Sequence, residues 1–422
     1  MKRRKGRHQE TAPNEAKNRK YTSYEDEPFE EYVESVPAPT NLTKKFINVF
    51  LILFIAVAGA LAFFYIDVLT PENISHWFHY ELLGKTEGDG YPVRFDGISV
   101  NAENFSLLGN SPIYCSDTSV VVLNSNGGTY LNTQHAFAKP IMKTNGNYSI
   151  IYNSDATGYK IMNRDSVLYS GSTQRKIFNV DVSSGGTYAV LNYGDDYLSS
   201  FTVFKNDNTK RYSYSFADYY VNRVSLSNDN SRAALSGVSA NNGGIISVIY
   251  VLDFNQENYV QKYEVEDSYI YDLVYLDNGN VFAVGDTSAF YIDVANGTKT
   301  DLSYNGKTLT EYCMKRGYGI ILSLSDNPDG RNCDIISYNS DCKMDFTINT
   351  GGRILSIDYS KGTVACLQPS SVVLYDKNSK KLDEKDVDAD IKSISICDDR
   401  KTVYMLGKSS VQKALFDYDA TS

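Results

Sequence analysis

Histidine is nearly missing from this chain. Of the four among 422 residues, only His135 lies beyond position 79, so any Ser-His-Asp or Cys-His device in the long carboxyl-terminal part has one imidazole to use. No G-x-S-x-G elbow occurs either. His76 and His79 stand three apart, but they lack a Cys or carboxylate companion, which argues against zinc. His135, in "NTQHAFAKP", is expected to pack where one repeat crosses to the next. Cysteine is scarce and unpatterned: Cys115, Cys313, Cys333, Cys342, Cys366 and Cys397 show no paired framework. Cys115, Cys366 and Cys397 fall inside apolar strands as small hydrophobes. Cys333 and Cys342 flank one hairpin, but a turn near Ser340 sets Cys342 opposite Tyr338, against a bridge. Past position 45 the chain carries a net −12, which argues against a nucleic-acid partner, because phosphate binding needs clustered Lys/Arg to displace counterions. "SDNPDG", Ser325 to Gly330, has the oxygen density of a calcium loop without its closing Glu. No catalytic, cofactor or metal residue is assigned, and the chain is read as non-enzymatic.

What is present begins with one long apolar run. Residues 1–43 are charged and poor in aliphatic side chains, too little to fold alone, and read as a disordered cytoplasmic tail. From Phe46 to Ile66, "FINVFLILFIAVAGALAFFYI" carries no charge; as a helix it is about 31 Å long and matches a bilayer core. The span is placed within 44–68. Lys44 and Lys45 before it, with Asp67 and Glu72 after it, orient the tail inward and export the remainder. Residues 69–90 supply a juxtamembrane helix and linker, with Thr70 as cap, Pro71 at the first position and Gly84 as stop. Trp77, the single Trp, rests either at headgroup level or against the exported domain.

A phrase then recurs at a period near forty: an apolar strand, a polar turn, and a Lys- or Thr-containing strand. Its landmarks are Asn124, Asn163, Lys205, Asp253, Asp293, Asn339, Asp376 and Asp417. Upstream of most copies lies a second hairpin, such as "VDVSSGGTYAVLN" or "SIDYSKGTVACLQ". Two hairpins make four strands, the dimensions of a propeller blade. Residues 91–419 are therefore expected to form an all-β, eight-bladed propeller of four-stranded antiparallel blades, with seven as the alternative if the short first repeat merges with the last. The last copy lacks its outer strand, and "YPVRFDGISV", Tyr91 to Val100, is expected to supply it and close the ring. The first full repeat is expected to begin near Asn104.

"GYPV" (Gly90 to Val93), "FSLLG" (Phe105 to Gly109) and "HAFAKP" (His135 to Pro140), after a charged tail and one span, resemble an uncharacterised family of Gram-positive bacterial, membrane-anchored propellers with WD40-like or quinoprotein-like repeats. The resemblance covers about residues 46 to 418 and implies a fold, with no functional residues to transfer. Asp195–Asp196 and Asp398–Asp399 read as solvated bends. The Tyr-rich stretches "RYSYSFADYY" and "EDSYIYDLVY" are either strand composition or aromatic platforms for sugars or peptides. The functional expectation is a binding or scaffolding module at the cell membrane, held by lipid and displayed outward to a protein or glycan. Its contact loops are expected at "SGVSANNGG" (Ser236, Asn241, Asn242) and "SDNPDG" (Asp326, Asn327, Asp329). The alternatives are a glycan-active enzyme with convergent carboxylates in the channel, and a transmembrane sensor.

Overall fold

A computed structural model describes residues 49–54, 88–241, 243–317 and 319–418. The tail, most of the expected span, the juxtamembrane helix, Asn242 and Tyr318 lie outside the described residues. Residues 49–54, "VFLILF", are helical, and their six apolar side chains are all exposed. No helix among the described residues is long and apolar enough to cross a membrane.

Residues 93–415 fold into eight four-stranded antiparallel sheets. Seven are meanders of consecutive strands, at residues 100–134, 140–172, 177–216, 220–266, 270–303, 308–349 and 356–386 (blades 1 to 7). Blade 8 takes three strands from 393–415, and its outer strand is Val93–Arg94, from the other end of the propeller. Seven blades is thereby excluded. Closure rests on the pairs Val93↔Val411 and Arg94↔Ser410, extended by the Phe95 amide donating to Ser409. The closing strand is far shorter than the ten residues expected. After Arg94 the chain leaves the sheet, and the Ile98 amide is held by Asp117 Oδ1 at 2.8 Å.

Single blades cannot bury both faces of their sheets, and the burial shows how the ring solves this. Each of eight apolar clusters draws its side chains from two neighbouring blades. Phe201 and Val203 of blade 3 pack with Leu235 and Val248 of blade 4, and Tyr114 and Val121 of blade 1 pack with Tyr404 and Val411 of blade 8. The hydrophobic gain of roughly 25 cal/mol per Å² of buried apolar surface is therefore realised only when successive blades stack.

The landmark polar residues have a local cause. Asn124 Oδ1 accepts the amides of Asn126 and Gly128, both at 2.8 Å, and Asp376 Oδ1 those of Asn378 and Lys380, both at 2.8 Å. Such a side chain satisfies the turn's free donors. All these third-to-outer turns share one face of the disc with the inner-to-second turns. The chain enters on that face, where the Gly90 amide donates to Asn126 at 2.9 Å and Tyr91 Oη to Asn124 O at 2.7 Å. Gly127, at φ +80, permits the approach, since a Cβ there would stand 2.6 Å from Gly90 O. The opposite face carries the second-to-third turns and the blade-to-blade crossings.

Candidate functional site at the channel mouth

The eight inner strands surround a channel with their outer edges paired and their inner edges open, so many of their amides need partners from elsewhere. Side chains of the preceding blade supply several. Asp181 Oδ2 accepts the Leu226 amide at 2.6 Å, Ser225 Oγ that of Tyr275 at 2.9 Å, Asp358 Oδ2 that of Ile396 at 2.9 Å, and Asn104 Oδ1 that of Met142 at 3.0 Å. These buried polar residues interrupt otherwise apolar strands ("NVDV", "RVSL", "SIDY"), which is the signal that reading by hydrophobicity alone passes over.

At the entry face one residue crosses the channel. Arg316, in the inner turn of blade 6, pairs with Asp181 of blade 3 at 2.6 Å and donates to Leu226 O of blade 4. Beside it Lys315 pairs with Asp358 of blade 7 at 2.7 Å. Both of these cations therefore hold a carboxylate, while Asp277 of blade 5 accepts from Asn228 Nδ2 at 2.7 Å on the same face.

The other half of the channel is different. A cavity of about 590 Å³ is lined by, among others, Glu103, Lys143, Tyr152, Arg223, Asp272 and Tyr312. It shares Glu103, Ile141 and Ser154 with a second cavity of about 400 Å³ between blades 1 and 2. The opening arises from register. Inner strands of blades 3, 4, 5 and 6 each bulge by one residue, at Phe178, Asn222, Tyr271 and Thr310. Blade 1 bulges by far more, between Val100 and Phe105. This is why its inner strand, Val100–Leu108, begins four residues before the Asn104 expected from the apolar pattern. Bulges re-aim side chains, and here they aim them at the mouth.

Around that mouth runs a crescent of aromatic rings. Phe178 packs at a 39° tilt against exposed Tyr193, 3.7 Å between centroids, Tyr269 meets Tyr271 edge-on at 5.7 Å, and Asn222 Nδ2 donates to Tyr269 Oη at 3.1 Å. Tyr197, Tyr220 and Tyr271 are exposed nearby. Thus the two Tyr-rich stretches, 211–220 and 266–275, contribute neighbouring parts of one surface. Burial pushes the Tyr152 and Tyr312 phenols above their ordinary range, leaving them neutral. Burial also raises the Glu311 carboxyl, on the same strand as Tyr312, to about 7.

The expected contact loops land differently. "SGVSANNGG" is mostly strand: Arg232–Asn241 pairs without a break against Gly244–Asp253. Ser236 is buried in that ladder and cannot be a contact residue of the folded blade; Asn241 ends the strand. The loop with Asp326, Asn327 and Asp329 rises on the crossing face of blade 6 and is braced internally. Asp326 pairs with Lys307 at 3.1 Å, Asp329 with Arg331 at 2.5 Å, and the Gly330 amide donates to Asn327 O at 2.9 Å.

His135 is buried at the crossing from blade 1 to blade 2. Its Nδ1 accepts the Phe137 amide at 3.2 Å, and Nε2 lies 3.0 Å from Ser116 O and 3.5 Å from Cys115 Sγ. A carbonyl only accepts, so Nε2 carries the proton and cannot take one from Cys115. Burial pushes the Cys115 thiol up to about 12, which leaves it inert. All six cysteines are free. Cys333 opens the strand Cys333–Tyr338 and Cys342 sits in the turn beyond its far end, about 17 Å of strand away, too far for a bridge.

Solved structures share this architecture. The C-terminal WD40 domain of Sif2 matches with a TM-score of 0.56 and 11% identity over 79% of this chain and 99% of that one. BamB from Moraxella catarrhalis gives 0.50 and 11% over 79% and 99%, and the eukaryotic initiation factor gives 0.51 and 10% over 78% and 92%. At such identities the likeness is one of fold. No curated protein sequence matches. The sequence pattern of one family spans residues 93–415, from the first residue of the closing strand to the last of blade 8, and the chain belongs to that family, DUF5711, a family of unknown function.

Proposed function

We propose that the chain is a membrane-anchored binding or scaffolding module that displays the crossing face of its propeller outside the cell. The observation that carries this is the pairing of an open, aromatic-rimmed cavity with a floor bridged by the Arg316–Asp181 ion pair at opposite ends of one channel. The exposed apolar side chains of residues 49–54 and the uncharged run from Phe46 to Ile66 suit a lipid-held anchor. Chain entry on the floor side leaves the mouth on the far side of the disc. A photo-crosslinking residue at Tyr271, compared with one at exposed Asn206 on the entry face, tests the reading on intact cells. Capture of a partner from position 271 is expected, and capture from 206 alone refutes it. Protease shaving of the same cells is expected to remove the propeller.

A second reading rests on the carboxyls of Glu103 and Asp272 in the cavity lining and of Glu311 on the inner strand that carries Tyr312. A carboxyl held protonated toward neutrality by burial, as Glu311 is, can serve as the acid in glycan hydrolysis. Release of soluble sugar from cell-wall glycan, abolished by Glu311→Gln, is its test.

A further inference from the structure

The mouth and the floor of the channel treat their basic side chains differently. At the floor Arg316 and Lys315 each hold a carboxylate. At the mouth Arg223, Lys143, Glu103 and Asp272 line one cavity, yet none of them forms an ion pair among the described residues. Arg223 is nonetheless fixed: its Nε donates to Tyr271 O at 2.6 Å and its Nη1 to Asn222 O at 2.9 Å. Asp272 is set by accepting the Leu273 amide at 2.9 Å. Arg223 and Asp272 are therefore oriented on inner strands of adjacent blades without pairing with each other.

Three classes of ligand can be weighed against this lining. A strongly basic or acidic ligand matches one pair of these side chains and opposes the other. A neutral glycan would stack on the tyrosines and exchange hydroxyl hydrogen bonds with the four charged side chains, but it carries no charge to offset the water they lose. We infer that the mouth receives a polypeptide segment bearing both a basic and an acidic side chain, entering as a loop tip or chain end. The inference rests on the binding reading above and names its ligand class. The Arg316 bridge across the floor favours a tip over a threaded strand. A cavity of about 590 Å³ is the size of a specific cleft, about 300–1,000 Å³, and the tyrosines supply rigid apolar area beside it.

The test is fluorescence anisotropy on the full-length protein in detergent, with labelled peptides of equal length (alternating Lys-Glu, all-Lys, all-Glu) and a labelled N-acetylglucosamine oligomer. The alternating peptide is expected to bind tightest and to weaken with salt. Arg223→Gln, Lys143→Gln and Asp272→Asn are each expected to weaken it about tenfold or more, the scale of one charge-assisted hydrogen bond. The Lys143 side chain makes no hydrogen bond or ion pair among the described residues, so Lys143→Gln keeps the test valid should Arg223→Gln unfold. Equal binding of all three peptides, or of none at about 1 mM, overturns the inference. Binding of the sugar oligomer that Tyr271→Ala abolishes and the charge variants leave unchanged overturns the peptide while sparing the mouth as a binding surface. Partner capture from the entry face alone removes both.

Discussion

Replacing Arg316 with Met is expected to cost the propeller about 3 kcal/mol. The guanidinium links blade 6 to blades 3 and 4 across the channel, with both partners of the Asp181 pair mostly buried (13% and 10% exposed). Removing one partner of a buried pair strands the other and costs about 3–5 kcal/mol. The lower end applies because Asp181 keeps the Leu226 amide at 2.6 Å. With roughly 320 residues unfolding at about 2.1 cal/mol/K each, the entropy of unfolding is about 0.7 kcal/mol/K, so Tm is expected to fall by about 4 °C. Calorimetry on Arg316→Met, Asp181→Leu and the double variant separates the pair from the loss of side-chain packing. The double variant should recover at least half of the summed single costs, since no lone charge remains. If Arg316→Met costs under about 1 kcal/mol, the floor is solvated and the cross-channel tie is not structural.

Three further outcomes follow from the same geometry. A chain beginning at Asp96 lacks the closing strand and exposes the edge Ser410–Leu415; it is expected to elute as oligomers in size exclusion and to melt lower. A monomer of unchanged Tm would refute closure by that strand. The native protein is expected to react slowly with a thiol reagent at pH 7.5 and to yield six thiols when unfolded without reductant, because burial pushes Cys342 up to about 11 and Cys397 to about 12. Glu311, at 4.5 when unfolded and about 7 when folded, binds more protons in the native state between those values. Its contribution is therefore lost as pH rises from about 4.5 to about 7. Urea melts at pH 5 and pH 8 should differ less for Glu311→Gln than for the parent, and an identical difference refutes the assignment.

The blade count was readable because each repeat solves the same local problem. An Asn or Asp whose side chain accepts two turn amides recurs at Asn124, Asn163, Asn339 and Asp376, and such a turn can be recognised without its tertiary context. Ring closure was readable for a related reason: an unpaired terminal strand must find a partner. The hairpin at 232–253 was misread because Ser236, Gly237, Ser239 and Asn241 look like a loop by composition, although their backbones pair in regular register. The mouth had no local signature at all. The inner strands of blades 1 to 6 each contribute between one and four residues to it, and those from successive strands stand about forty apart in the chain.

That scattering explains where specificity in such a ring must come from. A perfectly regular inner strand presents the same edge in every blade, and eight identical edges make a symmetric pore with nothing to tell one ligand from another. Blades 2, 7 and 8 keep that regularity, with inner strands that pair without a register shift. Blades 1, 3, 4, 5 and 6 break it. Phe178 and Tyr271 are residues left unpaired by the shift, whereas Arg223 and Asp272 follow it directly. Each bulge gives up ladder hydrogen bonding and gains a redirected side chain. Restoring a register should therefore stabilise the fold while it erases part of the mouth, as when Tyr271 is deleted so that Ile270 adjoins Asp272. A deletion that raised Tm and also preserved peptide binding would show that the bulges serve packing, and the mouth would lose its standing as the working surface.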